Sequence, residues 1–96
     1  RYRRQRAWLA SRLETEAPEL DVSGLDAGLS LCIRADLPDD LAVAERLKAE
    51  GVACEALSYY QQLPLPERGL VLDINATRER ELEQVLAAID GARATR

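Results

Sequence analysis

Leu29-Ser-Leu-Cys-Ile-Arg34, followed by Asp36-Leu-Pro-Asp-Asp40 and by Leu41, Ala44, Leu47 and Gly51, carries the change of period that decides the fold. Leu29, Leu31 and Ile33 alternate with Ser30, Cys32 and Arg34, the period of two expected of a strand with one face turned inward. Leu41, Ala44 and Leu47 then recur at helical spacing. Asp36 is placed to cap this helix and Pro38 to sit in its first turn, while Asp39 and Asp40 suit its positive end. Gly51 is placed to end it in a left-handed conformation. Helix 38–50 is long enough to cross over between two strands, and if those strands were parallel neighbours the crossover would be right-handed.

Outward from this unit, Val52-Ala-Cys-Glu-Ala-Leu57 reads as a second strand and Gly69-Leu-Val-Leu-Asp-Ile74 as a third. Between them runs a long polar connection, residues 58–68, with Ser58, Tyr59, Tyr60 and two prolines; loops of about a dozen residues without their own structure tend to be functional. Residues 2–17 form an arginine-rich helix with Tyr2, Leu9 and Leu13 on one side, stopped by Pro18. Trp8 lies one position off that stripe, so either the apolar face is wide or Trp8 packs against something outside the chain. Asp21-Val-Ser-Gly-Leu-Asp-Ala-Gly28 supplies turn chemistry. Asn75 or Thr77 is placed to cap a last helix whose Leu82, Val85, Leu86 and Ile89 form an i, i+3, i+4, i+7 stripe ending at Gly91, after which the tail should fray. The expected architecture is α+β: a two-layer sandwich with a small three-stranded sheet and its helices packed on one face.

The chain has 96 residues, 47% hydrophobic and 31% charged, the balance of a soluble globular domain. A single small domain over residues 1–96 buries only roughly 60 to 65% of the surface its unfolded chain exposes, which leaves little for a deep dry active site. The absence of histidine removes the commonest general base, the commonest metal ligand and any Ser-His or Cys-His pair, so an autonomous hydrolase is not expected. Cys32 and Cys54 cannot make a zinc site by themselves. They read as two buried free thiols in a reducing cytosol in preference to a disulfide. Neither a signal peptide nor an apolar run approaching the roughly 20 residues of a membrane span is present, so the expected location is cytoplasmic and no membrane partner is expected.

Charge is uneven. Residues 1–13 carry five arginines and no acid, a charge of +5, and residues 14–96 carry −9, giving −4 overall. A basic arm on an acidic body suits nucleic acid, but the body repels phosphates and arginines along one helix are more often a solvated or interdomain face. The carboxylates sit where helices want them, except Asp73, which near a strand end must face solvent or find a partner. Gly24 and Gly28 match no phosphate-cradling pattern. Lys48, the only lysine, lies on the polar side of its helix. No catalytic or metal site assembles from these residues. Ser58, Tyr59 and Tyr60 are the candidates for contact with a ligand, against the plainer reading that two tyrosines in a loop cover a small core.

Four stretches read in order carry a resemblance: Tyr2-Arg-Arg-Gln-Arg6, Leu20-Asp-Val-Ser-Gly-Leu-Asp-Ala-Gly-Leu-Ser-Leu31, Glu50-Gly-Val-Ala-Cys-Glu-Ala-Leu-Ser-Tyr-Tyr60, and Gly69-Leu-Val-Leu72 before an amphipathic helix. Together they resemble the C-terminal small domain of the MocR branch of GntR-family transcriptional regulators, whose effector part is similar to a fold-type I, pyridoxal-phosphate-dependent aminotransferase. The resemblance implies a fragment of a longer, homodimeric protein. An N-terminal winged helix for DNA and a large domain with pyridoxal phosphate on a lysine would precede Arg1, helix 1–17 once joining that large domain. This fragment, with no catalytic residue or cofactor of its own, would help close the effector site through Ser58, Tyr59, Tyr60 and Ser30. Members commonly carry Gly-Leu-His where this chain has Gly28-Leu29-Ser30, and Ser-Arg-aromatic where it has Ser58-Tyr59-Tyr60. That arginine is the family's expected carboxylate clamp, and the neutral Tyr59 cannot reproduce its bidentate geometry. Asp73-Ile-Asn75 likewise replaces a Gly-aromatic-Ala run. The rival expectations are the small domain of a true aminotransferase and a stand-alone ferredoxin-like small-molecule-binding module, the latter with Trp8 buried.

Overall fold

In the computed structural model, which describes residues 2–25, 29–60 and 67–94, the alternation at Leu31 and Ile33 becomes one of the two central strands of a four-stranded antiparallel sheet. In chain order the elements are α1 (Tyr2–Glu16), β1 (Asp21–Leu25), β2 (Ser30–Arg34), α2 (Asp40–Ala49), β3 (Cys54–Ala56), α3 (Leu57–Tyr60), β4 (Gly69–Asp73), a 3-10 turn (Ile74–Ala76) and α4 (Glu79–Ala94). The sheet order is β1-β2-β4-β3. β2 and β3 each run antiparallel to β4, so they are parallel to one another with β4 inserted between them. The α2 crossover therefore joins parallel strands that are not neighbours. Arg1, Gly28, residues 61–66 of the long connection and the tail residues 95–96 lie outside the described residues, as do the side chains of Tyr2 and Tyr60.

The register sorts the side chains. Val22, Ile33, Leu70 and Ala56 make one row across the sheet, and Gly24, Leu31, Leu72 and Cys54 make another. Both rows face the helices: Leu9 and Leu13 of α1, Ala44 and Leu47 of α2, and Leu82, Val85 and Ile89 of α4 join the strand side chains in one buried cluster. The intervening row puts Cys32 and Val71 on the opposite face, where Leu57 covers them. Each fully buried Leu or Ile contributes roughly 1.5–3 kcal/mol relative to exposure, so this cluster is the main source of stability.

Several expectations are corrected. The sheet has four strands, not three, because Asp21–Leu25 pairs with β2 from Asp21 opposite Arg34 to Leu25 opposite Ser30. Ser23 and Gly24 read as turn residues, yet β1 is an edge strand whose exposed side tolerates them, and Val22 packs against the core. The Arg6 guanidinium lies 2.5 Å from where a Gly24 Cβ would stand and, as the end of a flexible side chain, can give way. Helices do not cover one face alone, since the start of α3 covers the other. The second strand is only Cys54–Ala56, as Leu57 to Tyr60 turn into α3. Asp36 does not cap α2; Asp39 does, accepting from the Ala42 N–H at 3.1 Å. Neither Asn75 nor Thr77 caps α4. Glu81 reaches back to the Arg78 N–H at 3.0 Å, and Thr77 is fully buried with its hydroxyl donated to the Asp73 carbonyl at 2.7 Å. α4 also runs through Gly91 to Ala94. Trp8 is half-buried against the core, with the Arg12 guanidinium 5.7 Å from its ring centre.

Other expectations hold. Gly51, at φ +93°, ends α2, and the Val52 N–H returns to the Leu47 carbonyl at 3.0 Å. Asp73 finds its partners by capping the 3-10 turn, accepting from Asn75 N–H and Ala76 N–H. Arg12 bridges Glu16 and Glu79, tying α1 to α4 and holding the Glu79 carboxyl below its ordinary value of 4.5. With the folded-state value lowered, the pair stabilises the chain above that ordinary value and is lost as pH falls through the lowered one.

Two glycines test this fold. Gly69 has φ +153°, and a Cβ there would meet the Ile33 carbonyl oxygen at 2.0 Å. Gly69→Ala should destabilise the chain by about 3 kcal/mol in urea denaturation. Gly91 sits inside α4 with nothing within 4 Å of its would-be Cβ, so Gly91→Ala should stabilise by about 0.5–1 kcal/mol.

Candidate functional site

The doublet Asp39-Asp40 opens α2 with two identical side chains in opposite environments. Asp39 is exposed and caps, whereas Asp40 is 2% exposed. A carboxylate removed from water must have its lone pairs satisfied. Three donors do so: the Ser58 hydroxyl at 2.5 Å, the Ser58 N–H at 3.0 Å and the Gly69 N–H at 3.1 Å. Asp40 also lies in the first turn of α2, where the helix dipole favours negative charge. One side chain thus fastens both ends of the 58–69 connection to one helix terminus. Arg68 reinforces the join, donating to the carbonyls of Leu37 at 3.3 Å and Pro38 at 2.5 Å. Glu67 pairs with Arg34, which also donates to the Ser23 hydroxyl.

Of the four candidate residues, Ser58 is locked into this join. Tyr59 follows it in α3 and is 70% exposed, so it does not cover the core. Tyr60 ends α3. Ser30 is elsewhere. It pairs in register with Asp73, at the far end of β4 from Gly69, about 13 Å away at the rise of a strand. Ser58, Tyr59 and Tyr60 form one group and Ser30 does not join it. Asp40, the residue that organises the group, was masked in the sequence by its helix-start position. The signal that separates it from Asp39 is redundancy, since one N-cap needs one carboxylate.

Ser30 instead borders a shallow groove of about 570 Å³ at the β3–β4 edge, with Lys48, Glu55, Val71 and Asp73 among its lining. Lys48 is held there by Glu55 at 2.9 Å and Glu45 at 3.2 Å, which raise its pKa. A lysine kept protonated by two carboxylates is not a Schiff-base nucleophile. Among the described residues lining this groove the one cation is thus neutralised and Asp73 and Glu55 are acidic, a lining that does not fit the phosphate of pyridoxal phosphate. Cys32 and Cys54 are buried and free. Burial pushes the Cys54 thiol up to about 11 and raises that of Cys32, so neither is activated. Among the described residues no group of three His, Cys, Asp or Glu is placed to hold a metal ion, and no helix is long and apolar enough to cross a membrane.

What this arrangement does chemically is present an exposed tyrosine on a backbone fixed by Asp40. Comparison with known family models, curated proteins and solved structures finds no match for the chain.

The join can be tested by contrast. Asp40→Ala leaves the Ser58 and Gly69 N–H groups without an acceptor and should cost about 2–4 kcal/mol, with faster amide exchange at both. Asp39→Asn keeps a competent cap and should change stability by only a few tenths of a kcal/mol. Both thiols should react with a disulfide reagent at pH 8 only after unfolding, because burial and a raised pKa act together.

Proposed function

We propose that the chain is the C-terminal, aminotransferase-like small domain of a MocR-type regulator of the GntR family, closing over an effector or cofactor site built by another domain. The observation that carries this reading is the exposed Tyr59 on a turn locked by Asp40, at the position where the resemblance expects the effector-proximal clamp. A buried carboxylate spent on holding a surface aromatic in place has a purpose when that aromatic contacts something outside the chain.

Tyr59 favours the regulator over the small domain of a true aminotransferase. A phenol donates a single hydrogen bond and carries no charge, so it does not hold a substrate carboxylate in the bidentate manner that transamination requires. Lys48 is engaged by two carboxylates, which supports assigning the cofactor lysine to another domain. The cofactor, DNA and dimer contacts of the intact protein belong to its other domains, in the cytoplasm.

The reading frame upstream of Arg1 tests this directly. It should encode a winged helix and then a large domain with a cofactor lysine; a frame with the large domain alone would favour the enzyme, and one with neither would overturn both. Titration of this chain with pyridoxal phosphate should leave the spectrum of the free aldehyde unchanged, and a lysine-bound absorbance band would refute the assignment of the cofactor to other domains.

A further inference from the structure

The hydrogen-bond phase of the sheet leaves β1 with an open edge. The Ala35 N–H donates to the Arg68 carbonyl at 3.0 Å and the Ile74 N–H to the Leu29 carbonyl at 3.2 Å. Both pairs continue the β2–β4 register, so Leu31 and Ile33 between them also turn their backbone groups to β4. Ser30, Cys32 and Arg34 then turn theirs to β1, where Leu25, Ser23 and Asp21 answer them. By the same alternation the N–H and C=O groups of Val22 and Gly24 point away from the sheet. Among the described residues nothing is bonded to these four groups. Gly24 is exposed and Val22 half-buried. At the other edge the Asp73 N–H goes to the Ala53 carbonyl, so the outward residues of β3 are Cys54 and Ala56, which are 6% and 1% exposed.

β1 also lacks the features that keep sheet edges apart. It has no proline or lysine, pairs over all five residues without a bulge, and carries no side chain at Gly24. Beside it, against α1, lies a cleft of about 350 Å³ lined by Ala10, Leu13, Pro18, Leu20 and Val22, with the exposed Glu14 at its wall. Val22 and Gly24 belong to the rows that face the helices, so residues of an added strand opposite them face the helices too. The one opposite Val22 fills the cleft with an aliphatic side chain. The one opposite Gly24 meets the Arg6 guanidinium, which lies over that glycine and has no carboxylate partner among the described residues. The one beyond Val22, next to Leu20, meets Glu14. Alternate positions of the occupant therefore call for an acid, an aliphatic residue and a base.

We propose that the β1 edge binds an extended peptide segment of a partner protein, added antiparallel, with the pattern acid-x-aliphatic-x-base. An antiparallel strand answers all four open groups, two from the residue opposite Val22 and two from the residue opposite Gly24. The charges of Arg6 and Glu14 set its direction, since the chain of an antiparallel occupant passes Gly24 before Val22. This surface is at the far edge of the sheet from β3 and α3, and it does not depend on the role proposed for Tyr59.

The probe is the peptide acetyl-Thr-Glu-Thr-Val-Thr-Lys-Thr-amide, titrated into the isotopically labelled chain. Saturable amide shifts should appear at Val22 and Gly24, with slower exchange of both amide protons. N-methylation of the peptide valine removes its bond to the Val22 carbonyl and should weaken binding about tenfold. N-methylation of the next threonine, whose N–H points away from β1, should leave binding within about twofold. Arg6→Glu should weaken binding about threefold, and a peptide with lysine in place of its glutamate should recover it. No shift at β1 with millimolar peptide, equal loss from the two N-methylations, or failure of the lysine peptide to recover would each overturn the proposal. So would β1 shifts that follow the concentration of the chain alone, the mark of a second copy on this edge.

Discussion

The carboxylate of Asp40, buried and held by three neutral donors, is the constraint from which the rest of the structure follows. An ion of this kind is tolerated only where every lone pair it presents is answered, and removing one donor leaves the others unable to offset the loss of water. Those donors come from the two ends of the long connection, so α2, the β3–α3 junction and the first residue of β4 hold one relative position. β4 in turn is hydrogen-bonded on both sides, to β2 and to β3. Fixing where β4 begins therefore fixes the register of the centre of the sheet.

Gly69 shows how tightly that start is set. Its backbone lies against the Ile33 carbonyl, which no side chain would permit, and its N–H is given to Asp40. The register that follows places Leu70 and Leu72 under the helices and Val71 against Cys32 and Leu57. A slip of one residue would exchange those faces, so the polar join and the apolar core specify the same alignment. The exposed Tyr59 rides on this arrangement, because the turn that carries it starts at the residue Asp40 holds.

Much of the fold was legible from period and punctuation. Leu31 and Ile33 marked β2, Ala44 and Leu47 with Gly51 marked α2 and its end, and Leu82, Val85 and Ile89 marked the buried face of α4, because a one-sided core imposes its spacing on the chain. β1 was not legible. Ser23 and Gly24 have the local preferences of a turn, and only pairing to β2 makes that stretch a strand. Gly91 failed as a stop signal for a related reason, since the buried stripe before it outweighs the modest cost of one glycine in a helix. In the candidate site, Ser58 and Tyr59 stood out by composition, while Asp40 hid behind a capping role that its neighbour already fills, and Ser30 was grouped with residues that lie at the other end of β4.

By itself the amino-acid sequence determined the α+β class, the positions of most helices and strands, the burial of both cysteines and the absence of histidine chemistry, because these depend on local spacing and residue type. Only the tertiary structure decided that there is a fourth strand, that β4 enters between β2 and β3, and that Asp40 rather than Asp39 organises the exposed tyrosine. The join rests on hydrogen bonds between residues 18 and 29 positions apart and the place of β4 on partners in β2 farther still, while the fourth strand rests on nearer pairing of β1 with β2. Such pairings have no local signature, since each partner satisfies its own neighbourhood equally well until the chain brings the other to it.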